Sequence, residues 1–104
     1  MSWRFMPEPL RSHVLHRLDR LAAVTDYRCA AHQYRMLSGG HCHVQMFRKL
    51  MPWDHAAGVL LHREAGGHAR HFDGSPYRPS QIDGGLLLAP DEASWDELAK
   101  ALLR

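Results

Sequence analysis

Cysteine is scarce in this 104-residue chain, with Cys29 and Cys42 the only two. So few, so irregularly placed, they build no disulfide framework, and a reducing, cytoplasmic setting is the expectation. Long apolar runs are missing as well. The longest, residues 58–61 and 86–89, fall far short of the roughly 20 residues that cross a bilayer, so no membrane partner is expected. The opening stretch, 1–10, lacks the apolar segment of a secretory signal. Charge of one sign is also lacking: 13 Lys and Arg stand against 11 Asp and Glu, a formal net charge of +2, and no basic run marks a nucleic-acid footprint. There is no internal repeat and no low-complexity segment. The length holds one domain, 1–104, with a modest core.

The pattern that is present alternates between two periods. Pro9 suits a first helical turn, and Leu10, Val14, Leu18, Leu21 and Ala22 recur at spacings of three and four, which predicts an amphipathic helix over 9–23. A second helix is predicted from Cys29 to about Leu37, stopped by Gly39-Gly40. His41 to Phe47 alternates loosely, with Cys42, Val44 and Met46 on one side and His43, Gln45 and Phe47 on the other, as in an interior strand. The Pro52-Trp53-Asp54 corner opens a third helix, whose apolar side is read as Ala56, Ala57, Val59, Leu60, Leu61 and Ala65 and whose end is Gly66-Gly67. Ala57 and Gly58 are small enough for that helix to approach a sheet closely.

Residues 68–72 read as a short strand, Asp73-Gly74-Ser75-Pro76 as a turn, and 85–89 as a strand covered on both faces. A last helix over 91–103 carries Trp95, Leu98, Ala99 and Leu102 inward. Such an order predicts an α/β fold, a small mixed β-sheet layered between α-helices.

Histidine is abundant by contrast, with nine copies. His13 and His16 share a helical face, and His41-Cys42-His43 offers two ligands on a strand, but no second pair has zinc-finger spacing. The histidines are therefore read as scattered surface or half-buried residues. A nucleophilic Cys42 is disfavoured, since sequence neighbours on a strand point apart. By local chemistry alone, Asp54 is a cap or first-turn residue settled by the positive end of a helix dipole.

A larger pattern surrounds that aspartate. Residues 52–67, "PWDHAAGVLLHREAGG", resemble the C-terminal signature of the inositol monophosphatase family of magnesium-dependent, lithium-sensitive phosphatases: Trp-Asp, small residues, an apolar helix and Glu-Ala-Gly-Gly. The likeness runs on through "HARHFDGSPY", "GGLLLAP" and "DEASWDELAKALL", and back through "RCAAHQYRMLSGGHCHVQMF", covering about residues 25–103. The resemblance implies the C-terminal domain of that fold and a Mg2+ cofactor, with a small phosphorylated metabolite as substrate. It makes Asp54 a metal ligand that also orients the leaving group, and gives the Ala30 backbone a share in substrate binding. Arg28 is a further candidate, placed to meet a second anionic group on the substrate. Trp53, Glu64, Gly66 and Gly67 belong to the structural part of the motif: Pro52 and Trp53 fix how the chain enters the helix, Glu64 is a buried or helix-end acid meeting a partner, and the glycines reverse the chain.

The same resemblance shows what is lacking. The family's Glu-Glu pair and Asp-Pro-x-Asp-Gly-Thr loop are absent, since Asp73-Gly74 and Asp83-Gly84 have neither the preceding Asp-Pro nor the following Thr. One carboxylate does not balance a two-metal site. The chain thus reads as the C-terminal half of a phosphomonoesterase, without the N-terminal metal-binding half and inactive alone. The alternative is a non-catalytic, self-associating fragment or remnant. Substrate identity departs too: Arg28-Cys29 precedes Ala30-Ala31 where inositol-specific members have Gly-Ser or Gly-Thr, and Phe47 stands where they have an acid. Trp3 and Phe5 are expected to form an exposed apolar patch, normally covered by the missing half and open to homo-oligomer formation.

Overall fold

The apolar run expected to be covered on both faces is the middle strand of a three-stranded sheet. The computed structural model describes residues 3, 5–26 and 29–104. Among these, β1 (Gln45–Phe47), β2 (His68–His71) and β3 (Leu86–Ala89) lie in the order β1-β3-β2. Met46 pairs with Leu87, and Ala69 with Leu88, and both pairings are antiparallel. The α/β class and the layering are as expected, but the sheet is antiparallel throughout rather than mixed. β1 is also an edge strand among the described residues, not an interior one. All three of its residues are nevertheless buried, because helices cover both faces of the sheet.

Alternation in the strands sorts the core into two halves. Met46, Leu87 and Ala89 face α1 (Leu10–Leu15) and α4 (Glu92–Leu103), meeting Val14, Trp95, Ala99 and Leu102. Phe47, Leu86, Leu88 and Ala69 face α2 (Ala30–Ser38) and α3 (Pro52–Glu64), meeting Tyr34, Leu37 and Val59. The fold is therefore three layers, helices on sheet on helices. Trp95 fastens α4 to the sheet twice over, by burial of its ring and by donating Nε1–H to the Leu87 carbonyl at 2.8 Å. Trp3 packs partly buried against this same half of the core, so the expected exposed patch keeps only Phe5, which is 62% exposed.

The first predicted helix is shorter than its periodicity. The His13 carbonyl, which would accept the Arg17 N–H in a continuing ladder, accepts the Arg17 guanidinium instead, and the Arg17 N–H turns to Val14. A 3-10 turn over Leu18–Arg20 follows, and still brings Leu18 and Leu21 onto the core. The first strand is shortened for a related reason. The His41 N–H closes on the Met36 carbonyl and the Gly40 N–H on that of Leu37, with Gly40 at φ 79°, so residue 41 is still tied to the end of α2. Cys42 accordingly packs on the α2–α3 side and Val44 on the other, against the single face predicted for both.

Candidate functional site

Asp54 occupies the third residue of α3, after Pro52 at the first position and Met51 at the cap. Pro52 needs no hydrogen-bond partner there, and the Asp54 N–H bonds the Met51 carbonyl at 3.0 Å. The carboxylate is therefore a first-turn group rather than a cap, exposed, and near the positive end of a thirteen-residue helix. The far end is closed by a Schellman turn: Gly67 N–H to His62, Gly66 N–H to Arg63, with Gly66 at φ 90°. Gly67 is also held to its size by the His62 ring, which a Cβ would overlap. Both glycines lie in the turn that ends α3.

A cleft of about 400 Å³ opens beside Asp54. Its walls come from the start of α2 (Cys29, Ala30, Gln33), from the segment joining β1 to α3 (Phe47, Arg48, Lys49, Met51), from the first turn of α3 (Asp54, His55), and from Phe5 and Asp26. Thus Asp54 and Ala30, separated by 24 positions in sequence, share one cleft. The N-termini of α2 and α3 both lie at it, and neither has a side-chain cap. Two helix N-termini at one cavity favour an anionic ligand electrostatically. Arg28 lies outside the described residues.

Behind the cleft an aromatic cluster fixes the two helices to the strand. Tyr34 stacks on Phe47 at 5.3 Å between centroids, and His55 sets its edge to Phe47 at 4.7 Å. The Tyr34 hydroxyl lies 2.8 Å from His55 Nδ1. The hydroxyl and Nδ1 share this hydrogen bond between buried side chains of α2 and α3. Burial pushes the His55 pKa down, against the opposing pull of Asp54 and the Lys49 contact. Burial, with a smaller contribution from Tyr77, pushes the Tyr34 hydroxyl up. Both groups are therefore neutral posts that hold α3, not exchangers of protons near neutrality.

Gly58 explains how close the helices come. A Cβ there would sit inside the Tyr34 ring, so the small residue serves contact with α2 rather than with the sheet.

Several motif residues depart from expectation. Trp53 is 79% exposed, so its ring packs little against the chain entering α3. Glu64 is exposed at the last helical residue and takes no part in the three ion pairs found among the described residues. The buried side of α3 is His55, Val59 and His62, while Leu60 and Leu61 are 61% and 50% exposed. The histidines win these places because each finds partners inside. His62 Nε2 reaches the carbonyls of His68 and Ala89 at 3.3 and 3.0 Å, which makes that nitrogen the donor. His71, also buried, gives Nδ1–H to the Gly85 carbonyl and accepts the Arg78 N–H on Nε2. Three of the nine histidines are thus core residues rather than surface or half-buried ones.

Asp26, Arg48, Lys49 and His55 were not singled out from sequence. For His55 a signal existed, since it stands at i, i+4 and i+7 with Val59 and His62. Asp26 lies 28 positions before Asp54 and shares no local pattern with it.

Magnesium takes one or two protein carboxylates per ion, and two carboxylates, Asp26 and Asp54, line this cleft. Among the described residues no three His, Cys, Asp or Glu side chains come together as a metal cage. Asp54 alone, or with Asp26, supplies at most part of a metal shell, and a two-metal cluster needs ligands from elsewhere. No helix among the described residues is long and apolar enough to cross a membrane.

A model of the inositol monophosphatase family matches residues 7–104. An inositol monophosphatase from Anabaena (Nostoc) is similar at 28% identity and a TM-score of 0.75, over 88% of this chain and 35% of that one. Staphylococcal IMPase-II reaches a TM-score of 0.84 at 20% identity, over 100% of this chain and 41% of that one. Its inositol monophosphate-bound form gives 0.80 at 22%, over 92% and 37%. At these identities the staphylococcal likeness speaks for the fold alone. The chain spans 35% to 41% of the length of these three structures. No curated protein matches the sequence significantly.

Proposed function

Because the chain belongs to the inositol monophosphatase family, we propose that it is the C-terminal part of a magnesium-dependent phosphomonoesterase, hydrolysing a small phosphorylated metabolite when joined to an N-terminal half. The observation that carries this reading is the meeting of Asp54 and Ala30 in one cleft at two uncapped helix N-termini. Asp54 takes the role of metal ligand and orients the leaving oxygen, while the start of α2 at Ala30 presents backbone N–H groups to the substrate. A bound magnesium supplies polarisation of the phosphoryl group and a more acidic attacking water. Tyr34, Phe47 and His55 keep the two helix ends in register, so Asp54 is positioned before any ligand arrives.

Similar staphylococcal structures are described as bound to inositol monophosphate and to 2'AMP, both phosphomonoesters, which supports that substrate class. Phe47 leaves the cleft without an acid to grip ring hydroxyls at that position, so sugar phosphates, histidinol phosphate and nucleotide-type bisphosphates stand beside inositol phosphates. Phosphate release is the test. The 104-residue chain with magnesium is expected to release none, and joining it to an upstream segment bearing Asp-Pro-x-Asp-Gly-Thr is expected to restore turnover that Asp54→Asn abolishes. Turnover by the chain alone that disappears in Asp54→Asn would overturn the claim that it is inactive alone.

A second reading has its own observation. Trp53, Leu60 and Leu61 expose one apolar side of α3, which favours a self-associating module that keeps the fold without the chemistry.

A further inference from the structure

The charges around the cleft are not spread evenly along the chain. The carboxylates come from residue 26 and from α3, whereas Arg48 and Lys49 sit side by side in the segment that leaves β1. Each cation is held by a neighbour. Arg48, with its side chain 22% exposed, meets the Asp83 carboxylate at 3.3 Å, and Asp83 is itself 81% exposed and outside the cleft wall. Lys49 carries its ammonium 5.8 Å from the centre of the Phe5 ring, another wall residue. An arginine bonded to one exposed carboxylate keeps further N–H donors, and an ammonium over a ring keeps all three.

We propose that Arg48 and Lys49 form a second anion subsite in the Asp54 cleft, selecting phosphate esters that carry another anionic group over monophosphates of neutral polyols. The inference rests on the reading of Asp54 as the metal-side residue: the metal and helix N-termini take the scissile phosphate, and the cation pair takes the other anion. Phe47 fits the same selection. Its ring is buried against Tyr34 and His55 and presents no acceptor for the hydroxyls of a polyol.

Fructose 1,6-bisphosphate and fructose 6-phosphate differ by a single phosphate and serve as probes for the unmodified 104-residue chain, titrated calorimetrically in excess magnesium. The bisphosphate is expected to bind more tightly by about fivefold or more, the scale of one partly solvated ion pair. Lys49→Ala and Arg48→Gln together should erase that preference, weakening the bisphosphate more than the monophosphate. Lys49 is exposed, so Lys49→Ala by itself, checked by circular dichroism, gives a second variant that folds and should lose part of the preference. Equal affinities, a preference that survives both substitutions, or no bisphosphate binding at millimolar concentration each overturn the subsite. Asp54→Asn separates the two proposals: it should remove the magnesium dependence of binding while the bisphosphate preference persists. Magnesium dependence that outlasts Asp54→Asn sinks the metal role and leaves the cation subsite standing.

Discussion

The Tyr34 hydroxyl and His55 Nδ1, 2.8 Å apart and buried, join α2 to α3 directly behind the Asp54 cleft. Removing the hydroxyl leaves a buried ring nitrogen without its hydrogen-bond partner. Tyr34→Phe is therefore expected to destabilise the fold by about 1–3 kcal/mol, even though the ring and its stacking on Phe47 remain. A urea titration of the two proteins measures it, and an unchanged midpoint would remove this bond from the account.

Gly58 makes a sharper demand on the same contact. A methyl group there meets the Tyr34 ring well inside van der Waals range, and backbone or ring must shift. Gly58→Ala should cost about 1–3 kcal/mol by overpacking, although alanine is the better helix former by roughly 1 kcal/mol. A variant more stable than the parent in thermal melts would show that the helices have room to part.

Stability should fall in mild acid, and the sign follows from His55 and His62. Burial lowers the pKa of both in the folded state. As pH drops through about 6.5, the unfolded chain takes up protons first, so stability is present above that value and lost as pH falls toward the folded values. Replacing His62 with Gln keeps an N–H donor for the His68 and Ala89 carbonyls and removes the titration. The variant's urea midpoint should change less between about pH 7.5 and about pH 5.5 than the parent's. An equal or steeper dependence counts against His62.

Self-association, if the exposed side of α3 drives it, depends on Trp53 and Leu60, seven positions apart and on one helical face. Sedimentation should show concentration-dependent association of the parent chain and a monomer for Trp53→Lys with Leu60→Glu. A parent chain that stays monomeric removes the support for the second reading.

Much of the fold was legible because burial and periodicity coincide where hydrocarbon fills the core. β3 and α4 are the clearest cases: a run buried on both faces, and an apolar stripe behind the Asp91 cap, whose carboxylate accepts the Ser94 N–H at 2.7 Å. α3 was located correctly, yet its orientation was misread. Periodicity puts Leu60 and Leu61 on the apolar side and leaves the histidines at the surface or half-buried, whereas His55 and His62 find hydroxyl and carbonyl partners inside and Leu60 and Leu61 do not turn in. The spacing of His55 with Val59 and His62 fitted an inward face, but hydropathy does not mark a polar side chain as inward when its partner lies across the chain. The site was legible in half: Asp54 and Ala30 stand in recognisable motifs. Asp26, Arg48 and Lys49 reach the cleft only through the folding of distant segments. The first helix and first strand were overextended because their ends are set by single hydrogen bonds, at the His13 and Met36 carbonyls.

The sheet separates the two halves of the core, and the cleft draws on only one. Phe47 and Ala30 belong with Tyr34 and Val59, while Val14, Met46, Trp95 and Leu102 lie across the strands. A volume change between α2 and α3 therefore reaches the cleft wall directly, whereas one on the α1–α4 side reaches it only through the sheet.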